Sequence, residues 1–291
     1  MAVRQGFWES IQEKQLDRKI IYALMFVVLV IPVVRPLGLP LPISDMTRDS
    51  YQAVENLPSG SNVMVAAYIS IGLWPEVEPG TIVMLKHLLR KPVKFVIVCW
   101  AADEAKLMEG ALAKVSDFAR ENNKKYGVDY VNLGFIPGME TAMAAFAKDV
   151  WATAPSDMYG TPISQLPVMS GIKTAKDFAL VLFITGSDVA AMIRQYVSAY
   201  GSKMVAFATI GWVPSFTPYL SSGQLVGLVP GVTGGAQYEL LMKSPGAGLA
   251  TTDALSLGFI YLVVLAILGN VLWNIERRSH GRRASKEVGQ R

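Results

Sequence analysis

The chain carries two kinds of apolar patterning. Near its ends the apolar positions run on unbroken. Ile20 to Val34 reads IIYALMFVVLVIPVV and resumes after Arg35 as PLGLPLPI, while Ala254 to Ile275 reads ALSLGFIYLVVLAILGNVLWNI. A helix needs about 20 apolar residues to cross a bilayer, which the second run supplies. The first is only as long as a signal-peptide core. No small-x-small cleavage site follows it, however, and Arg35 can reach the headgroups, so it reads as an uncleaved anchor.

Between these runs the pattern is shorter and regularly interrupted. Apolar stretches rich in Val, Ile and Phe occupy 62–70, 94–101, 130–136, 178–186, 204–211 and 224–229. Near-continuous runs of this length indicate strands buried on both faces of a mainly parallel sheet. Helical periods lie between them. In DEAKLMEGALAKVSDFARENNKK, residues Leu107, Met108, Ala111, Leu112, Val115, Phe118 and Ala119 fall on one stripe. A second period is ETAMAAFAKDVWA. A third, SDVAAMIRQYVSAYG, predicts Ser187 as N-cap and Gly201 just past the end. Strand–helix alternation predicts an α/β fold with a doubly wound, mainly parallel, Rossmann-like sheet, flanked by an N-terminal and a C-terminal transmembrane helix. The Pro- and Gly-bearing stretch 151–177 breaks the rhythm and reads as the connection that crosses between halves of the sheet.

Charge then orients the chain. Residues 1–19 and 276–291 together carry a net +5, whereas residues 20–275 carry −1. A basic excess confined to the flanks of two apolar segments is the positive-inside pattern. The expected layout is a cytoplasmic N-terminal segment (1–19), an anchor (20–43), an extracytoplasmic α/β domain (44–253), a transmembrane helix (254–275) and a basic cytoplasmic tail (276–291). A nucleic-acid partner is not expected despite the pI near 9.0, because the domain that would bind it is nearly neutral. The lone cysteine, Cys99, lies in the apolar run KFVIVCW and reads as a small buried residue. An outside domain without disulfides suits a prokaryotic cell envelope.

Chemistry is sparse. The two histidines, His87 and His280, stand apart from Cys99 and from any serine in a nucleophile-elbow setting, so hydrolase triads find no support. Sites of His and Cys that could hold a metal are equally lacking, and no catalytic residue, metal or cofactor is assigned. Asp103, Glu104, Glu140 and Asp188 each fall at an expected helix start, where a carboxylate meets the dipole favourably.

In open α/β sheets ligands gather at the carboxyl ends of strands. The loops there include Trp74, Trp100 and Trp212, which a parallel sheet would bring to one rim, and the candidate ligand-binding set adds Asp103, Ser187, Gly234 and Gly235. The stretch GVTGGAQYE has no lysine before its helix and does not follow the first strand, so it matches neither phosphate-loop pattern. It is expected to be a tight turn, with anion binding by its amides as the alternative.

The segments DYVNLGF (129–135), GTPISQLPVMSGIKTAKDF (160–178) and GLVPGVTGGAQYE (227–239), bracketed by two membrane segments, resemble a family of prokaryotic two-pass membrane proteins. The resemblance covers nearly the whole chain and implies the membrane–α/β–membrane layout. It implies no activity, cofactor or catalytic residue.

Two functions follow as expectations. The first is a non-catalytic structural or assembly subunit, homo-oligomeric or joined to another membrane protein, with Asn270 and Asn274 hydrogen-bonding between helices in the bilayer. The second is an extracytoplasmic small-ligand-binding module, a sensor or transporter partner, using the loops after the strands.

Overall fold

The computed structural model describes residues 18–288. Two compact units make up the chain: Pro40–Leu249, and the described parts of Met1–Leu39 with Ala250–Arg291.

The first unit is an α/β sandwich. Its six strands are β1 (Asn62–Tyr68), β2 (Lys94–Cys99), β3 (Tyr130–Phe135), β4 (Leu180–Thr185), β5 (Met204–Ala208) and β6 (Gly227–Pro230). They form one sheet in the order β3-β2-β1-β4-β5-β6. Every pairing is parallel. Each strand lies inside a predicted run or within a residue of its end.

Successive side chains along the strands join opposite core layers. Met64, Ala66, Val96, Val98, Val181 and Phe183 join one core layer, closed by Met143, Phe146, Ile163, Met192, Tyr196 and Phe216. Val63, Val65, Ala67, Phe95, Ile97 and Ile184 join the other, closed by Val77, Met84, Leu88, Met108, Leu112 and Tyr238. Both faces are therefore dry, which is why the strand runs are almost continuously apolar. Cys99 sits at 0% exposure in the second layer, and burial pushes its thiol well above the usual range.

Helices α2 (Asp45–Glu55), α3 (Trp74–Arg90), α4 (Ala102–Lys114), α5 (Ser116–Glu121), α6 (Met139–Lys148) and α7 (Val150–Thr153) precede β4. The long predicted stripe after β2 is broken at Val115 into α4 and α5. The second predicted helix breaks at Asp149, whose carboxylate accepts the Ala152 N–H and starts α7. From β3, at one edge, the chain returns past β2 and β1 through three 3₁₀ turns to reach β4, so 151–177 lies in the crossing connection.

After β4, α8 (Ala190–Met192) runs on as a π-helical stretch, Ile193–Ser198. Ser187 is not its cap. The Thr185 hydroxyl accepts the Ser187 N–H at 2.9 Å and donates to the Ser187 carbonyl, closing a local turn, and Asp188 accepts the Ala190 N–H instead. Gly201 does follow the helix with φ +69°, a left-handed conformation suited to glycine.

Helix α9 (Val213–Ser221) leads to β6, and α10 (Gly231–Met242) starts directly from it. The strand turns into the helix at Gly231 alone, with φ +51°, and Gly234 and Gly235 lie inside α10 rather than in the turn. They are there for space. A Cβ on Gly235 would lie 2.8 Å from the Gly80 nitrogen of α3, and one on Gly234 would lie 2.9 Å from the Val229 carbonyl carbon.

The second unit contains α1 (Arg18–Val34) and most of α11 (Ala247–Val288). Within α11, Ala247–Asn274 is long and apolar enough to cross a membrane, whereas Lys19–Val34 is a shorter apolar helix. The two touch: the Tyr261 hydroxyl donates to the Ile21 carbonyl at 2.8 Å, and Gly258 leaves room for Leu29. At the end of this pair the buried Asp253 carboxylate accepts N–H groups from Leu37, Gly38 and Leu39 at 2.7, 2.9 and 3.1 Å. Gly38 supplies the positive φ that curls these amides around one acceptor. Away from this contact large apolar side chains stay exposed, among them Phe26 at 68% and Phe259 at 67%.

Candidate functional site

The strand order reverses between β1 and β4, because the chain moves outward from β1 through β2 to β3, then returns to β4 and continues the other way. The loops leaving β1 and β4 therefore diverge and leave a crevice outside the carboxyl ends of the strands. A cleft of about 320 Å³ lies at this point. It is lined by Tyr68, Ile69 and Ser70 at the end of β1, Ala101 to Glu104 at the cap and first turn of α4, and Gly186 with Ser187 after β4.

The backbone fixes this wall. The Gly186 N–H donates to the Tyr68 carbonyl, so the exits of β1 and β4 stay bonded beyond the ladder. Glu104 ties the β1 loop to the β2 loop: its carboxylate accepts the Ile69 N–H on one oxygen and the Trp100 and Ala101 N–H groups, each at 2.9 Å, on the other. Glu104 has 0% exposure. Burial pushes its carboxyl up to about 7, against the pull of these three amides.

Among the described residues, no hydrogen bond or ion pair engages the Tyr68, Ser70 or Ser187 hydroxyls or the Asp103 carboxylate. Ser70 and Asp103 are exposed, and Tyr68 and Ser187 half-buried. No lysine, arginine or histidine lines the cleft.

The predicted site residues divide accordingly. Asp103 and Ser187 share the cleft. The three tryptophans all follow strands of the parallel sheet, on the same rim, but they do not line it. Trp100 is 1% exposed, packs edge-on to Phe146 at 5.9 Å, and leaves its Nε1 buried without a partner. Trp74 is buried as the first residue of α3, and Trp212 is half-buried in a short turn before α9. Gly234 and Gly235 pack inside α10, away from the cleft lining. Asn270 and Asn274 are exposed on α11 and donate to carbonyls of their own helix, those of Ala266 and Asn270.

Sequence reasoning missed Tyr68, Ser70 and Gly186, single polar or small residues at strand ends. It also missed a second polar cluster. His87, at 0% exposure, bonds Tyr238 Oη through Nδ1 at 2.8 Å and Glu55 through Nε2 at 2.7 Å. Tyr51 stacks on its ring at 4.7 Å. Glu55 also binds Arg90, at 3.0 Å, and its backbone carbonyl accepts from Lys91. A carboxylate can only accept, so Nε2 carries the proton and Nδ1 accepts from Tyr238. Burial lowers the His87 pKa to about 4 despite Glu55, while its bond to His87 holds the Glu55 carboxyl below its ordinary value. Glu239 is a third satisfied acid: it accepts the Gly246, Gly248 and Leu249 N–H groups at the start of α11. Among the described residues no group of His, Cys, Asp and Glu could hold a metal ion.

These features define a Rossmann-like α/β domain with an open cleft at its switch point, in a chain that has, among the described residues, one helix long and apolar enough to cross a membrane. No family model matches the chain, and no curated protein matches it.

Proposed function

We propose that the protein is a membrane-anchored small-ligand-binding module, a sensor or transporter partner, that takes its ligand in the switch-point cleft. The observation that carries this reading is the cleft itself, whose hydroxyls and Asp103 carboxylate have no partner among the described residues although Glu104 and the Gly186–Tyr68 bond tie its loops together. Pre-formed concave sites with a few convergent polar groups are the usual form of a small-molecule pocket. The dinucleotide fingerprint is absent from the β1–α3 turn, which reads Ser70-Ile71-Gly72-Leu73-Trp74-Pro75.

In this reading α1 crosses the bilayer beside α11, both termini are cytoplasmic and the α/β domain lies outside the cell membrane of a prokaryote. The exposed apolar side chains of both helices, the Asp253 clasp and the basic flanks support that layout, as does the resemblance to two-pass proteins. A reporter fused after Arg291 should be active only in the cytoplasm; activity on the far side would refute the layout. For the cleft, thermal-shift screening of the full chain with sugars, amino acids, amines and nucleotides should give a stabilising compound, and Ser187→Trp, which fills the cleft, should remove the shift.

A second reading, self-association into an assembly subunit, rests on a different observation. Ile71, Phe135, Met139 and Ile210 are exposed after β1, β3 and β5, on the carboxyl rim. A strict monomer across a wide range of concentration in detergent would remove it.

A further inference from the structure

Resting on the ligand-binding reading, we infer that the cleft takes a small organic ammonium ion, a protonated amine on a short aliphatic or hydroxylated body, and rejects nucleotide phosphates.

In Rossmann-type sites the anion sits on free amides at the first strand-to-helix turn and helix N-terminus. Here the amides that open α3 are already used. Leu73 and Trp74 both donate to the Ser70 carbonyl, at 3.0 and 3.1 Å, Glu76 donates to Leu73 at 3.1 Å, and Pro75 has no N–H. On the neighbouring loop the protein's own Glu104 carboxylate takes the Ile69, Trp100 and Ala101 amides. The protein's own carboxyl group therefore takes amides that a ligand anion would need. Among the described residues no basic side chain lines the wall to attract a phosphate.

The groups left free fit the opposite charge. An ammonium group offers three N–H donors and no acceptor. The cleft offers the free Asp103 carboxylate and the unpartnered Tyr68, Ser70 and Ser187 hydroxyls, all of which can accept. Ile69, Ala101 and Ala102 supply apolar wall for a short carbon chain. The volume of about 320 Å³ lies at the small end of the range of about 300–1,000 Å³ for ligand pockets.

The test uses the full chain in detergent or nanodiscs and matched probes: glucosamine against glucose, putrescine against 1,4-butanediol, with ATP and NAD as the phosphate probes. Calorimetry should show an amine binding about tenfold or more tighter than its neutral counterpart, with ATP and NAD silent. Asp103→Asn should weaken that amine by a similar factor without moving the melting temperature of the ligand-free protein, since Asp103 is exposed and unpaired. Ser187→Trp should abolish binding. Glucose or ATP binding as well as the amines, and lost in Ser187→Trp, would overturn the ammonium class while leaving the cleft a ligand site. Binding indifferent to Ser187→Trp, or no binding by any probe, would overturn both.

Discussion

Two polar clusters in the α/β unit are built from similar groups and end in opposite states. Around His87 every group is matched: Tyr238 gives its proton to Nδ1, Nε2 gives its own to Glu55, and Arg90 and Lys91 close the outer side. Around the switch-point cleft only Glu104 is matched, and the hydroxyls and Asp103 stand open to solvent. A buried polar group without a partner is costly, so a matched cluster is what folding alone produces. Polar groups left unmatched in a concave wall are available to something else. The lone described histidine outside the helical tail is thus spent on folding, whereas unmet hydrogen-bonding capacity, Tyr68 included, marks the proposed cleft.

The sharpest way to break the comparison is to disable the matched cluster. His87→Ala leaves the Tyr238 hydroxyl buried without an acceptor, opens a cavity beneath Tyr51, and should lower the unfolding free energy by about 3 kcal/mol in a denaturant titration.

Protonation sharpens it further. The folded-state pKa of His87 is depressed from 6.5 to about 4, so its contribution is present above pH 6.5 and is lost as pH falls towards 4. Glu104 behaves in the opposite sense: its pKa is raised from 4.5 to about 7, so its contribution is present below pH 4.5 and is lost as pH rises through 7. Each slope amounts to roughly 3 kcal/mol over nearly the same window, and the two oppose each other. Melting temperatures of the wild type should thus vary little between pH 4.5 and 6.5. His87→Gln should become less stable as pH rises, and Glu104→Gln more stable. Parallel profiles for the two variants would show that these groups do not titrate as their surroundings imply.

A smaller loss, about 2 kcal/mol, is expected for Gly235→Ala, which forces backbone apart where α10 meets Gly80. Smallest of all, Asp103→Asn and Ser187→Ala should change stability by no more than about 0.5 kcal/mol, since neither side chain bonds to the protein.

The same contrast explains what the sequence made legible. The six strands were readable because a sheet covered on both faces demands unbroken apolar runs, and the Pro- and Gly-bearing stretch was readable as the crossing between its halves. Asp103 and Ser187 were readable as positions after strands. Tryptophan misled: its place on the rim follows from chain direction, but whether Trp100 faces out or packs under Phe146 depends on side-chain packing that no local pattern encodes. Gly234 and Gly235 looked like a turn because the signal for close helix packing is the same residue. Glu55, His87 and Tyr238 are brought together only by the packing of α2, α3 and α10, and a single chain read in order carries no mark of that meeting.

The central claim is most directly tested by hydrogen–deuterium exchange of the full chain with and without the tightest-binding amine. Protection should appear in peptides covering 68–73, 101–104 and 186–188 and leave those around Glu55, His87 and Tyr238 unchanged. Protection centred on the His87 cluster, with none at the three strand exits, would contradict the account.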